Sequence, residues 1–185
     1  AYVTDATLGL LILDVGNPAA IVRLGSIDTA GFASQISVGT IGADKYAFVA
    51  ESDSALRVIN VTTPSSPVEI TNIPGESSAG IKDVKLVGTT LYVSDWQAGV
   101  KIFNASNPTN LVQIGSRGNV GPSFIDVVGN RLYTYGSGLR VADLSVTPVP
   151  PNLGYFDPGS SCYDMVVSNN LAFAATGSGG LKVVN

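Results

Sequence analysis

Histidine is absent from this chain. That removes Ser-His-Asp and Cys-His nucleophilic catalysis, bis-histidine metal sites and His-ligated haem from consideration. Cysteine is nearly absent too. Cys162 stands alone, so the chain forms neither an internal disulfide nor a thiolate metal cluster, and one thiol fits either redox compartment. Charged residues make up only 13% of the 185 positions, against ~25% in ordinary soluble domains. The 14 acidic residues outnumber the 10 basic ones, for a net charge of −4. Nucleic acids and anionic membrane surfaces need a basic face, and none is visible. The longest apolar stretch, Leu8 to Leu13, falls far short of the ~20 residues that span a bilayer, so direct membrane insertion is not expected of this segment. No stretch of roughly ten residues carries a helical period.

What is present is apolar and turn-rich. Hydrophobic residues reach 45%, with 21 glycines and 10 prolines, and the polarity is carried by Ser, Thr, Asn and Gly. This composition suits an all-β, loop-rich chain long enough for one domain with a sizeable core. A repeat organises it. Ala1-Tyr2-Val3-Thr4-Asp5 recurs as Ala47-Phe48-Val49-Ala50-Glu51, Leu91-Tyr92-Val93-Ser94-Asp95, Leu132-Tyr133-Thr134-Tyr135-Gly136 and Ala172-Phe173-Ala174-Ala175-Thr176, at intervals of 46, 44, 41 and 40 residues. Each copy is followed by a small-residue turn and a second apolar run, for example Leu56-Arg57-Val58-Ile59-Asn60 or Val100-Lys101-Ile102-Phe103-Asn104. Proline then enforces a reversal at Pro18, Pro64, Pro108 and Pro148. A third run follows, and a fourth, such as Ile81 to Leu86, leads into the next copy.

Four short strands per repeat of this length build one blade of a β-propeller. Runs that are apolar at both alternating positions, such as Leu10 to Leu13, fit a sheet sandwiched between two others. Tandem immunoglobulin-like sandwiches need ~100 residues each and do not fit. Counting gives roughly eighteen strands within a single domain over residues 1–185. These amount to four to five four-stranded antiparallel blades, three complete and two partial. The partial blades, and a first residue that is not Met, lead us to expect a section of a longer propeller or coverage of the ends by another chain. Any signal peptide or anchor would lie outside the visible chain.

The pattern Gly-Leu-(Arg/Lys)-(Val/Ile)-x-(Asp/Asn)-x-(Ser/Thr)-x-Pro, preceded by (Phe/Tyr)-Val-x-Asp and Asp-Val-x-Val strands, resembles the LVIVD repeat. It is clearest in Asp83 to Pro108 and good in Asp126 to Pro148. The resemblance implies a propeller in bacterial or archaeal cell-surface or secreted proteins, and no catalytic residues. Two positions depart from the pattern. Leu11 stands where other copies carry Arg57, Lys101, Arg140 and Lys182, and Gln35 stands where they carry Asp83, Asp126 and Asp164.

Several positions invite a functional reading beside a structural one. Asp83, Asp126 and Asp164 occupy one repeat position on the strand expected to line the channel, where a carboxylate ring could hold Ca²⁺. The alternative is that each bonds backbone N–H groups in its own blade. Asp5, Glu51, Asp53 and Asp95 follow the strand that begins each copy, and paired carboxylates there could serve glycoside hydrolysis, although their Ser/Gly-rich loops look solvated. Trp96, flanked by Asp95 and Gln97, is either an exposed contact for a sugar or protein, or a rim residue covering a blade edge. The basic set Arg57, Lys101, Arg140 and Lys182 is expected to form inter-blade ion pairs and pack its stems rather than clamp a ligand. Asn60 and Asn104 head N-glycosylation sequons, yet they sit where Asp14 and Asp143 would cap the following turn. Gly177 to Gly180 lacks the Lys of a phosphate loop.

The sequence therefore leads to a non-enzymatic extracellular module, structural or binding a protein or glycan partner, self-assembling or joined to the rest of its polypeptide. No cofactor is expected beyond a possible Ca²⁺. The competing expectation is a propeller enzyme of the lactonase or quinoprotein kind, using a metal or bound cofactor.

Overall fold

A computed structural model of the chain describes residues 1–52, 55–76, 80–118 and 121–185. These form eighteen strands in five antiparallel sheets. The first sheet holds β1 (Tyr2–Asp5), β2 (Gly9–Asp14) and β3 (Val22–Ile27). The second holds β4 (Ala33–Ile41), β5 (Asp44–Glu51), β6 (Ala55–Asn60) and β7 (Val68–Pro74). The third holds β8 (Ile81–Val87), β9 (Thr90–Asp95), β10 (Gly99–Asn104) and β11 (Val112–Arg117), and the fourth β12 (Phe124–Val128), β13 (Arg131–Tyr135), β14 (Leu139–Asp143) and β15 (Asn152–Phe156). The fifth has three strands, β16 (Cys162–Ser168), β17 (Leu171–Thr176) and β18 (Gly180–Val184). Every sheet is an up-and-down meander, so the expected three full blades between two partial ones are present.

Local chemistry sets each meander. The hairpin from the first to the second strand of a blade closes through Gly42, Gly88 and Gly129, all with φ between 57° and 64°. In the last sheet Asn169 and Asn170 take φ of 51° and 65° at the same place. Two-residue hairpin loops need left-handed backbone, which Gly and Asn adopt at least cost. The register between the third and fourth strands slips at one repeated point: Ile12/Leu13, Val58/Ile59, Ile102/Phe103 and Val141/Ala142. A bulge increases local twist, and its recurrence twists each blade alike.

The core is divided among the seams between sheets. Leu10 and Ile12 pack against Ala47, Val49 and Ile59 at the first seam. Phe48, Leu56 and Val58 meet Val84, Leu91 and Val93 at the second. Val100 and Ile102 meet Ile125 and Leu132 at the third, and Tyr133 and Leu139 meet Met165 and Ala174 at the fourth. Each large apolar side chain so buried stabilises by ~1.5–3 kcal/mol. Both faces of the middle sheets are thus apolar because both are covered.

A second stitch joins neighbouring sheets at their outer strands. A Cβ on Gly25 in β3 would run into the Pro64 carbonyl of the next sheet's turn, and one on Gly115 in β11 would lie 2.6 Å from the Pro148 oxygen. The Ser116 N–H donates to that same Pro148 carbonyl at 3.0 Å. At the first and third sheets the proline turn of the next blade therefore seats on a bare backbone position, whereas the second sheet carries Thr71 at that ladder step.

Candidate functional site

The inner strands β4, β8, β12 and β16 pack side by side, and their polar side chains staple one blade to the next. Asp83 on β8 accepts from its own Val84 N–H through Oδ1 at 2.7 Å and from Ile125 N–H on β12 through Oδ2 at 2.8 Å. Asp126 repeats the arrangement, accepting from Val127 N–H at 2.9 Å and from Val167 N–H on β16 at 2.8 Å. The second sheet has no such Asp; there Ser37 Oγ accepts from Leu86 N–H on β8 at 2.9 Å. Asp164 accepts from Met165 N–H at 2.8 Å. The backbone-bonding reading of these carboxylates is therefore the one the geometry carries, extended from one blade to two.

Two corrections follow. Asp83 pairs across with Ser94 and Asp164 with Ala175, at equivalent steps of their ladders, but Asp126 pairs with Tyr133, the step that Ser37 occupies opposite Phe48. The first hairpin has the same two-residue loop in the third, fourth and fifth sheets, but the Asp-Val pair of the fourth sits two residues nearer that turn, so the three do not form one ring. Among the described residues no group of three or more acidic, His or Cys side chains could hold a metal ion. Lys85 Nζ lies 2.8 Å from Asp126 Oδ1, neutralising the more buried carboxylate. Burial pushes the Asp83 carboxyl up to about 7 against the pull of its two N–H donors and Lys85, and the charge of Asp164 adds to the rise.

The mouth of the channel, at the start of these strands, is a depression of about 320 Å³ lined by Gln35, Ser52, Lys82, Phe124, Cys162 and Tyr163 among others. Lys82 Nζ donates to the Ser52 carbonyl at 3.0 Å. Burial, together with the Asp164 charge, raises the Cys162 thiol above its ordinary value, so it stays protonated and weakly nucleophilic.

The carboxylates after each copy's opening strand are loop caps, and the expectation that they are solvated does not hold for two of them. Glu51 and Asp95 are fully buried. Asp95 accepts from Gln97 and Ala98 N–H at 3.1 Å each and from Glu76 N–H at 3.0 Å. Burial raises its pKa, but these donors and Lys101 outweigh it and hold the carboxyl below the usual range. Asp5 is likewise held down by the N–H groups of Thr7 and Leu8. A glycosidase acid needs a raised pKa, and these two are lowered. Asp53 lies outside the described residues.

The basic set also differs from expectation. Arg57 bonds Glu51 at 2.9 Å and Glu69 at 3.1 Å, both within its own sheet. Arg140 stacks over Tyr155 of its own sheet, 4.7 Å from the ring centroid. Lys101 does reach Glu76 in the connection from the second sheet, at 2.7 Å, and stands 3.7 Å from Asp95. Arg57 and Arg140 thus meet partners within their own sheets, whereas Lys101 bridges two sheets. Trp96 remains 39% exposed, yet its ring lies against Gly121, where a Cβ would meet it at 3.3 Å. The Gly121 N–H donates to the Trp96 carbonyl at 2.9 Å, and Ser94 Oγ reaches the Pro122 carbonyl at 2.5 Å. It thus covers the seam between the third and fourth sheets while showing one side to solvent, with Gln97 exposed beside it. Asn60 and Asn104 cap their turns through Oδ1 to Thr62 and Ser106 N–H, both at 2.9 Å, as Asp143 does to Ser145. Gly177 to Gly179 form the turn between β17 and β18, and Gly180 opens β18.

Periodicity alone did not reveal which seam faces lack a cover. Leu181 on β18 is 67% exposed, whereas its counterparts Leu10, Leu56, Val100 and Leu139 are 0–5% exposed. Val166, Val183 and Tyr163 share that exposure on the fifth sheet. At the other end, Val3 on β1 is 40% exposed, where Val49, Val93 and Ala174 are at most 2%. Leu11 stands across from Val3, so the departure from Arg or Lys makes this face apolar. The terminal sheets thus present the two unlike halves of an internal seam.

Comparison with known proteins agrees with this architecture. The profile of a family described as LVIVD repeat matches residues 1–29, 30–73 and 80–117, the first three sheets. No curated protein matches. Among solved structures, the computationally designed Ika8 protein is similar at 11% identity with a TM-score of 0.70, covering 98% of this chain and 53% of that one. The designed Ika4 protein is similar at 10% identity with a TM-score of 0.65, covering 83% of this chain and 91% of that one. The chain spans about half the length of Ika8. These likenesses concern the fold.

Proposed function

The chain belongs to the LVIVD-repeat family of β-propellers, and from that premise we propose that it is a non-enzymatic binding module of a bacterial or archaeal surface or secreted protein, working through its terminal sheet faces. The observation that carries this reading is Leu181, exposed at the repeat position that every other blade buries. Contiguous apolar surface of this kind is characteristic of an interaction site. The repeated polar residues support it from the other side, since Asp83, Asp95, Asp126 and Arg57 are engaged in holding blades and loops. What covers these faces is a blade-like apolar sheet, of the same polypeptide or of another, and the surface location is what family membership implies. Association measured by sedimentation velocity over a range of concentrations tests this. Wild-type chain should associate with a blade-bearing polypeptide, itself included, and Leu181→Asp should abolish that without lowering Tm. Metal-dependent turnover of lactones or sugars by the purified chain would overturn the reading.

A further inference from the structure

At the entry to the channel one backbone device recurs with unlike side chains. The ladder between the inner strand and its neighbour slips at Ala33/Gln35, Ile81/Asp83 and Cys162/Asp164, which makes Ser34, Lys82 and Tyr163 the extra residues of three β-bulges. The fourth sheet has no slip there, and Phe124 stands opposite Tyr135, at the step that Gln35, Asp83 and Asp164 hold in their sheets. A bulge re-aims a side chain, and bulges are over-represented next to active sites. Here Ser34, Lys82 and Tyr163, together with Gln35 and Phe124, line the depression of about 320 Å³ at the channel mouth. Scaffold residues such as the turn prolines recur from blade to blade, whereas these bulges carry a hydroxyl, an ammonium and a phenol.

Lys82 gives the mouth its charge. An ammonium has three donors, and one of them reaches the Ser52 carbonyl at 3.0 Å. Among the described residues no carboxylate pairs with it: Lys85 takes Asp126, Lys101 takes Glu76 and Asp95, and Arg57 takes Glu51 and Glu69. Two donors remain for an anion. Tyr163, 70% exposed, presents a ring to the same depression, and Phe124 presents a second. Around them Ser34, Gln35, Ser52 and Ser123 supply hydroxyl and amide groups. The Asp83 and Asp164 carboxyls lie one residue further along their strands, and their charge keeps an incoming anion at Lys82. Lys82 and Phe124 stand on β8 and β12, each packed between two other inner strands, so the middle of the molecule builds the site.

We infer that the channel mouth binds a uronate, its carboxylate on Lys82, the C–H face of its pyranose ring against Tyr163 or Phe124, and its hydroxyls on Gln35 and the serines. A flat aromatic acid would leave those serines and Gln35 unpaired. The volume lies at the small end of ligand pockets, which suits one sugar unit. This goes beyond the sheet-face association proposed above and does not depend on it.

Sodium D-glucuronate titrated into the intact, isotope-labelled chain and followed by amide chemical shifts should bind saturably at about 1 mM, the scale expected of roughly a dozen heavy atoms. The shifts should centre on residues 34–35, 82, 123–124 and 162–163. D-Glucose lacks the charge and acetate lacks the ring, so each should bind about tenfold more weakly or worse. Lys82→Met should lower glucuronate affinity by about tenfold or more. Tyr163→Ala, a change at an exposed side chain, should lower it by about three- to tenfold with Tm unchanged. No saturable binding, shifts centred elsewhere, or unchanged affinity in either variant overturns the inference. Acetate or benzoate binding as tightly as glucuronate also overturns it, reducing the mouth to a bare charge or to an aromatic-acid pocket. Leu181→Asp should leave glucuronate binding unchanged, so the sugar site and the sheet-face association stand or fall separately.

Discussion

Asp83 does two things at once: it closes a bond to its own strand and one to the next blade. Its carboxyl sits at about 7, well above its ordinary value, so the folded chain holds a proton that the unfolded chain releases near pH 4. Stability from this group is full below the unfolded pKa and is lost as pH rises through about 7. Thermal melts should therefore show Tm falling between pH 5 and pH 8 in wild type, with Asp83→Asn flattening that slope; equal slopes would refute it. Ion pairs sort by burial in the same way. Glu51 is fully buried beside Arg57, which also holds Glu69, so Arg57→Met should cost ~2–3 kcal/mol by removing the shared cation of two carboxylates, whereas Lys85→Met, removing a 42% exposed lysine from one carboxylate, should cost less. Urea denaturation of both variants checks the ranking. Residue types at these positions were legible from the repeat, but their partners were not: Arg57 finds Glu69 across a bulged register that no spacing rule displays.

At the scale of the element, bare glycine positions on outer strands matter more than their small size indicates. Gly115 sits against the Pro148 carbonyl, and any β-carbon there must push a turn of the next blade outward. Gly115→Val should destabilise by ~1–3 kcal/mol, while Gly154→Val, facing open space, should leave Tm within error. Calorimetry of the pair tests the seat without any ligand, and equal losses would argue against it. Strands, hairpins and turn prolines were readable because each is dictated by its own few residues. The two-residue displacement of Asp126 is written in the spacing too, since it precedes Leu132 by 6 positions where Asp83 precedes Leu91 by 8 and the hairpin loops are equal, but the shared Asp-Val motif masks it.

Across the whole molecule, stability is carried by seams, each made from unlike faces of two sheets, so any terminal sheet exposes half of one. That is why Leu181 and Val3 are exposed while their repeats are buried. A heterologous contact of this kind continues rather than closes unless the rotation returns on itself. The sequence by itself determined the repeat, the all-β class, the strand count and the turn positions, since period-2 apolar runs and Pro, Gly and Asn turns act over a few residues. It also excluded histidine chemistry outright. Tertiary structure alone decided that the inner aspartates bond across blades, that Glu51 and Asp95 are buried, and that Gly154 and Leu181 lie open. Those outcomes depend on which blade stands next to which, a relation between residues roughly forty apart that local pattern does not encode.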